Sequence, residues 1–125
     1  MKVLLVDDTK TLFALVQIYL MGCGLEFVVA SDGLEGLAKA RVEKPDLVVT
    51  DVRMPRMDGF ELLAALRQDP ALSKIPIVLL TSLDDEASRE KGKLLGATAF
   101  LHKPVGPDAL RATVQKILAL PEARR

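Results

Sequence analysis

Five polar residues of this chain each stand directly after a short apolar run. Asp7 and Asp8 follow VLLV, Asp51 follows DLVVT, Thr81 follows IVLL, and Lys103 follows TAFLH. Together they supply three carboxylates, a hydroxyl and an ammonium group. If the runs are neighbouring parallel strands, all five side chains meet at one edge of the sheet, which is where open α/β folds bind ligands.

These residue types suggest one kind of chemistry. Three close carboxylates repel one another unless a cation lies between them, and an oxygen-ligated ion such as Mg²⁺ fits such a set. A hydroxyl and an ammonium group are donors for phosphoryl oxygens. The combination indicates phosphoryl transfer to aspartate, with Asp51 as the nucleophile. Taken singly, each residue has a plainer explanation, such as a loop acid, an acid at a helix N-terminus or a surface lysine.

Composition limits the range of functions. The chain has 125 residues and is 50% apolar, which predicts one domain spanning residues 1–125. Its 17 acidic and 17 basic residues cancel, so no overall positive field favours direct nucleic-acid binding. A single cysteine, Cys23, cannot form an internal disulfide. The apolar stretch from Leu12 to Met21, broken by Gln17, is too short to span a bilayer, so we expect a cytoplasmic protein without membrane insertion.

Short β-branched runs alternate with segments of helical spacing, which is the pattern of βαβ units around a parallel sheet. The predicted fold is therefore α/β, a doubly wound five-stranded parallel sheet with five helices. The strands are Val3 to Val6, Leu25 to Ala30, Asp46 to Thr50, Ile75 to Thr81 and Thr98 to His102. The first helix begins at about Thr9 or Lys10, and the second is opened by Ser31 or Asp32 as its cap. The other three begin near Asp58, near Asp84 and at Asp108. Every strand except the second is predicted to be buried on both faces.

Apolar spacing also predicts which side of each helix faces the sheet. The predicted inner residues are Leu12, Val16, Tyr19 and Leu20 in the first helix, Leu34, Leu37, Ala38 and Val42 in the second, and Phe60, Leu62, Leu63 and Leu66 in the third. The fourth helix has a thin apolar face, and Gly92 within it costs about 1 kcal/mol relative to Ala. We therefore expect the fourth helix to be weakly held.

The five ordered positions, with the stretch DVRMPRMDG from Asp51 to Gly59, resemble the receiver domain of response regulators in two-component signalling. The resemblance covers essentially the whole chain. The family that the chain resembles includes the single-domain chemotaxis regulator. It implies a flavodoxin-like sheet with strand order 2-1-3-4-5. It also implies that Asp51 accepts a phosphoryl group from a histidine kinase or a histidine phosphotransfer protein.

The resemblance assigns further roles. Asp8 is implied as the more direct Mg²⁺ ligand and Asp7 as a ligand partly through water, with Asp51 and the Arg53 backbone carbonyl completing the set. Thr81 and Lys103 are implied to bind the phosphoryl oxygens. The family implies a cis peptide bond between Lys103 and Pro104, which turns the lysine inward.

Two more features follow from the resemblance. Phosphorylation is implied to draw Thr81 toward the new charge and to switch Phe100, which lies three positions before Lys103 and lacks the hydroxyl of the tyrosine common there. The switch is implied to alter the surface of the fourth helix, fifth strand and fifth helix, where a downstream target protein binds. Arg53 and Leu83, which flank the phosphoryl group in receivers, are candidates for tuning its lifetime by controlling access of water.

Two other classes of protein deserve comparison. A haloacid-dehalogenase-type phosphatase also combines a nucleophilic Asp with Mg²⁺, but its two acids are spaced as DxD, whereas Asp7 and Asp8 are adjacent. A scaffold that keeps the fold without phosphorylation is disfavoured by the complete acid set.

The sequence thus predicts a signalling phosphoacceptor, not an enzyme in the ordinary sense, that assists its own phosphorylation and dephosphorylation. We expect no output domain in this chain, which makes it a stand-alone regulator or the receiver of a larger protein. The cognate kinase, the target, the pathway and any dimerisation stay open.

Overall fold

The computed structural model describes residues 1–81, 86–103 and 105–119. Within them five strands alternate with five helices. In chain order these are β1 (Lys2–Val6), α1 (Lys10–Tyr19), β2 (Glu26–Ala30), α2 (Gly33–Glu43), β3 (Leu47–Asp51), α3 (Gly59–Gln68), β4 (Ile77–Thr81), α4 (Glu86–Leu94), β5 (Ala99–His102) and α5 (Pro107–Leu118). The strands form one parallel sheet in the order β2-β1-β3-β4-β5, which confirms the predicted fold class and strand order.

The three central strands form the middle of the core. Every residue of β3 and β4 is buried, as are the last four residues of β1. Because successive side chains of a strand point to opposite faces, these runs supply two apolar clusters, one on each side of the sheet. One cluster joins the sheet to α1 and α5 through residues such as Val16, Leu20, Leu110 and Val114. The other joins it to α2 and α3 through Ala40, Phe60, Leu62, Leu63 and Leu66.

The fifth strand is an exception to the burial prediction. Its residues are only partly buried and His102 is exposed, so the expectation that β5 is buried on both faces is wrong. The reason is topological, because β5 forms the edge of the sheet and pairs only with β4. The second strand lies at the opposite edge and is likewise only partly buried, as predicted.

Helix α2 presents a different face to the sheet from the one predicted. Leu34 is 44% exposed and Val42 is 79% exposed, while Ala38 is also exposed. The buried residues are instead Gly33, Gly36 and Ala40, with Leu37 packed beside them. A Cβ added to Gly36 would lie 3.0 Å from a Val6 methyl group, so small residues let this helix pack close to the sheet. The inner faces predicted for α1 and α3 are confirmed.

Gly92 has a packing role that its helix propensity does not suggest. It is the buried residue among those described in α4, and a Cβ there would lie 3.0 Å from Leu79 Cδ1 and 3.4 Å from the Phe100 ring. The glycine therefore lets α4 sit close to β4 and β5. The close packing offsets part of the unfavourable helix propensity of Gly92. The thin apolar face predicted for α4 is confirmed, because Leu94 is exposed.

Arg67 joins two connections at the end of the sheet opposite the acid cluster. Its guanidinium donates to the backbone carbonyls of Gly96 (3.0 and 2.8 Å), Ser73 (3.0 Å) and Ile75 (2.7 Å). Burial lowers the pKa of Arg67. The side chain thus fixes the end of α3 against the connections that enter β4 and β5.

Candidate functional site

Three acids meet at the carboxyl ends of β1 and β3. These strands are neighbours, and Val6 pairs with Thr50, so the residues that follow them are brought side by side. Asp7 is fully buried, Asp51 is 8% exposed and Asp8 is exposed. One carboxylate oxygen from each lies within 4.8 Å of the others. The predicted acid cluster therefore exists.

Lys103 joins this cluster from the other side. Its Nζ lies 3.1 Å from Asp51 Oδ2 and 3.3 Å from Asp7 Oδ2, so one ammonium bridges two carboxylates. The backbone N–H of Lys103 donates to the carbonyl of Thr81 at 2.8 Å, which anchors the residue beside the end of β4. Thr81 is 1% exposed and is the last residue of β4. Four sheet strands thus bring the five predicted residues to one edge.

Short hydrogen bonds fix the two buried carboxylates. Asp7 Oδ1 accepts hydrogen bonds from the backbone N–H of Thr9 (2.8 Å) and from its hydroxyl (3.0 Å). Asp51 Oδ1 accepts one from the Val52 N–H at 2.7 Å. In both residues the second oxygen, Oδ2, contacts Lys103. The carboxylates are thereby oriented, and Asp8 is the acid that stands open to solvent.

Electrostatics at the site favour an added cation. Burial raises the pKa of the Asp51 carboxyl, the Lys103 charge lowers it, the Asp7 charge raises it again, and the net shift is upward. For Lys103, burial lowers the pKa, but the charges of Asp51 and Asp7 outweigh burial and the net shift is upward. The lysine is therefore protonated at neutral pH, yet it leaves the acids incompletely neutralised. Clustered carboxylate oxygens are ligands that a small divalent cation such as Mg²⁺ accepts.

A cleft of about 610 Å³ opens beside the acids. Its walls include Asp8, Arg53, Phe60 and Lys91, and the Lys91 ammonium lies 4.7 Å from the centroid of the Phe60 ring. Arg53 itself is exposed. The cleft therefore opens beside Asp8, the exposed acid of the cluster.

Other predicted residues lie elsewhere or outside the description. Phe100 is half-buried in β5 and packs against the core, with the Arg89 guanidinium 5.8 Å from its ring centroid. Leu83 and Pro104 lie outside the described residues, so their predicted roles in lifetime tuning and in a cis peptide bond stay predictions.

Some residues that shape the site were missed by sequence reasoning. Thr9 binds Asp7, and Gly59 permits the connection after Asp51 to fold back: its N–H donates to the Val52 carbonyl at 2.8 Å, and a Cβ would lie 2.3 Å from the Asp51 carbonyl oxygen. The glycine stood within the quoted motif. Its steric reason becomes visible only in the folded chain.

Among the residues that the structure describes, none of the helices has the length and apolar character needed to cross a bilayer.

Comparisons with known proteins agree with this architecture. The family model described as the response regulator receiver domain matches residues 3–115. The chain is similar to the alkaline phosphatase synthesis transcriptional regulatory protein PhoP of Bacillus subtilis, with 42% identity over 94% of this chain and 48% of the relative. It is also similar to protein PilH of Pseudomonas aeruginosa, with 36% identity over 94% of this chain and 98% of the relative.

A solved structure gives the same result. The chemotaxis protein CheY4 of Vibrio cholerae superposes with a TM-score of 0.86 at 39% identity, covering 93% of this chain and 97% of that chain. The chain spans about half the length of several curated relatives that it matches, including PhoP. The family model, the relatives and the shared sheet order show that the chain belongs to the response regulator receiver domain family of two-component signalling.

Proposed function

We propose that this chain receives a phosphoryl group on Asp51, from a histidine kinase or a histidine phosphotransfer protein. The observation that carries the proposal is the buried Asp51 carboxylate held between the acids Asp7 and Asp8 and the ammonium of Lys103. A carboxylate oxygen of Asp51 forms a bond to phosphorus while the bond from phosphorus to the donor's histidine nitrogen breaks. The electron pair of that bond stays with the imidazole nitrogen, which is then protonated.

We assign the metal to Asp7, Asp8, Asp51 and the Arg53 backbone carbonyl. Their oxygen donors suit Mg²⁺, which would neutralise charge on the phosphoryl oxygens when bound. Because both oxygens of Asp7 already accept hydrogen bonds from Thr9 or Lys103, the exposed Asp8 is the better placed direct ligand. Asp7 then contributes through water and through its charge.

Thr81 and Lys103 act on the phosphoryl group itself. The Lys103 ammonium stands 3.1 Å from Asp51 Oδ2, where it attracts the oxygens of an approaching phosphoryl group. Thr81 ends the neighbouring strand and supplies a hydroxyl donor to the same place. Neither residue needs to transfer a proton for the acyl phosphate to form.

Phosphorylation then changes a protein-binding surface. The aspartyl phosphate carries more negative charge and three acceptor oxygens, so it attracts Thr81. Movement of Thr81 reaches Phe100 through the paired strands β4 and β5, in which Leu79 faces Phe100. The Phe100 ring lies close to Gly92, so a change of the Phe100 rotamer alters the position of α4 against the sheet. The surface formed by α4, β5 and α5 is the proposed site for a downstream target.

The 125 residues act as one cytoplasmic receiver domain that passes its signal to another protein, without direct binding to nucleic acid or insertion into a membrane. The acid cluster with Thr81 and Lys103 makes the chain a phosphoacceptor that assists its own phosphorylation and dephosphorylation. The chain matches about half the length of relatives such as PhoP, so any output domain is to be identified by experiment.

Intact-mass measurement after incubation with acetyl phosphate and Mg²⁺ tests the chemistry. We expect a gain of about one phosphoryl group, roughly 80 Da, that disappears in Asp51→Asn and when a chelator removes the metal. Lys103→Met serves as a second variant and should slow formation of the adduct. An adduct of the same yield in Asp51→Asn would show that another residue is the acceptor.

A further inference from the structure

The connection between β3 and α3, residues 52–58, is fastened to the start of α2. We call this connection the acceptor loop because it follows Asp51 directly. Arg56 Nε donates to Asp32 Oδ2 at 3.0 Å, and its NH2 group donates to the same oxygen. One residue along, the carbonyl of Met57 accepts a hydrogen bond from the Gly33 N–H at 3.2 Å. Two adjacent residues of the loop therefore contact Asp32, which caps α2, and Gly33, the first residue of α2.

Asp32 is built to hold this contact. It is 6% exposed, and its other oxygen, Oδ1, caps α2 by accepting the Glu35 N–H at 2.9 Å. The Glu35 N–H and then the Arg56 side chain lower the pKa of Asp32, so the carboxylate is charged throughout the neutral range. An ionised, oriented carboxylate makes stronger hydrogen bonds than a neutral acceptor.

The acceptor loop adopts an unfavourable backbone conformation where it reaches Asp32. Arg56 has a φ of 67°, in the left-handed region that non-glycine residues adopt rarely. Such a conformation persists only where surrounding contacts hold it. The approach of Met57 is equally demanding, because a Cβ on Gly33 would lie 2.3 Å from the Met57 carbonyl oxygen.

The fastened segment leads directly to the reacting atoms. At its first residue, Val52, the N–H binds Asp51 Oδ1 and the carbonyl accepts from Gly59. Arg53, whose carbonyl we assign to the metal, lies between this end and Arg56. Holding both ends of so short a loop limits the positions open to that carbonyl.

We propose that Asp32 and Arg56 are positioning residues that fix the acceptor loop, so that Asp51 and the Arg53 carbonyl are already placed for the metal. This inference rests on the proposed function of Asp51. Neither residue touches the metal or the phosphoryl group. Groups that orient metal ligands typically contribute ten- to a hundredfold to metal affinity or activity.

Two substitutions separate the ion pair from other roles of these residues. Arg56→Gly removes the guanidinium but suits a positive φ, so the loop loses its attachment without gaining strain. Asp32→Asn keeps a good helix cap, since Asn and Asp are comparable there, while it removes the charge. Arg41→Gln is the matched control, because Arg41 also pairs across the surface with an aspartate, Asp69, away from the loop.

Three measurements are made on each purified protein: Mg²⁺ affinity by isothermal titration calorimetry, the rate of phosphorylation by acetyl phosphate, and hydrogen exchange of the Gly59 amide by NMR without metal. We expect about tenfold weaker Mg²⁺ binding in Arg56→Gly, a matching fall in rate at subsaturating Mg²⁺, and faster exchange at Gly59. Asp32→Asn should give a smaller change of the same sign. Because both substitutions break one interaction, the double variant should be no weaker than Arg56→Gly alone.

The outcomes also separate this inference from the proposed function. Unchanged Mg²⁺ affinity and exchange in Arg56→Gly, with normal phosphorylation of the unsubstituted chain, would overturn the positioning role alone. Failure of the unsubstituted chain to be phosphorylated would overturn the function of Asp51 first. A loss of affinity as large in Arg41→Gln would mean that the effect comes from a general change of surface charge.

Discussion

Replacing Asp51 with Asn should make the metal-free protein more stable, although it abolishes the proposed phosphorylation. In the folded chain the Asp51 carboxylate is nearly buried and stands within 4.8 Å of oxygens from two other acids. Asn keeps the shape and can still accept the Val52 N–H through its amide oxygen. The substitution therefore removes charge repulsion and the desolvation of a charge with little change in packing.

The size of the effect follows from the distances. At an effective dielectric constant of about 20, attraction between Lys103 and Asp51 across 3.1 Å amounts to about 5 kcal/mol. Repulsion from two acids whose oxygens lie within 4.8 Å amounts to at least about 7 kcal/mol in the same medium, which leaves a net repulsion of at least about 2 kcal/mol. Because Asp8 is exposed, solvent screening reduces this to about 1 kcal/mol. For a domain of this size that corresponds to a rise in Tm of about 4 °C.

The effect depends on pH in a defined direction. The pKa of Asp51 is raised in the folded state from its ordinary value of 3.8, so folding favours the neutral acid. Above the folded pKa the carboxylate is charged in both states and the destabilisation is fully present. As the pH falls through the folded pKa toward 3.8 the acid is protonated on folding, and the destabilisation disappears. The stability advantage of Asp51→Asn should therefore be largest near neutral pH and shrink in acid.

Thermal unfolding followed by circular dichroism, with and without Mg²⁺, provides the assay. At ten times its Kd, Mg²⁺ should stabilise the unsubstituted chain by about 1.4 kcal/mol and should stabilise Asp51→Asn less. Asp108→Asn, at an exposed acid that is not part of the cluster, is the control and should change stability by less than about 0.5 kcal/mol. The reasoning is refuted if Asp51→Asn is less stable than the unsubstituted chain at neutral pH without metal, or if Mg²⁺ stabilises both equally.

Two further predictions concern the residues that shape the chain around the site. Gly59→Ala should destabilise the fold by about 1–3 kcal/mol and slow phosphorylation, because the new Cβ would lie 2.3 Å from the Asp51 carbonyl oxygen. Gly106→Ala is the control, since nothing lies within 4 Å of a Cβ there. If the two substitutions had equal effects on a urea titration and on the phosphorylation rate, the steric argument would be contradicted. Arg67→Lys should cost about 2–3 kcal/mol in the same titration, since an ammonium cannot reach the carbonyls of Gly96, Ser73 and Ile75 together; a loss below about 0.5 kcal/mol would show that these hydrogen bonds contribute little.

Much of the site was predictable because a strand has a fixed geometry. In a parallel sheet, residues that follow neighbouring strands must meet at the same edge, so the order of the apolar runs placed Asp7, Asp8, Asp51, Thr81 and Lys103 together. The same logic predicted the inner faces of α1 and α3. There the spacing of large apolar residues coincides with the spacing of contacts to the sheet.

The prediction for α2 was wrong because hydrophobicity was taken as the guide to burial. Close packing on the sheet selected Gly33, Gly36 and Ala40, which leave room for Val6 and Met57, and it left Leu34 and Val42 exposed. The edge position of β5 was likewise invisible in its apolar composition, since an edge strand is defined by the neighbours it lacks.

The sequence by itself determined the strand and helix order, the residue types at each strand end and hence the chemistry open to the site. Only the tertiary structure decided the contacts between segments distant in the chain. Lys103 reaches Asp7 across 96 positions, Arg56 reaches Asp32 across 24, and Arg67 reaches Gly96 across 29. Local propensity and periodicity act over a few residues, whereas these contacts depend on how whole elements pack.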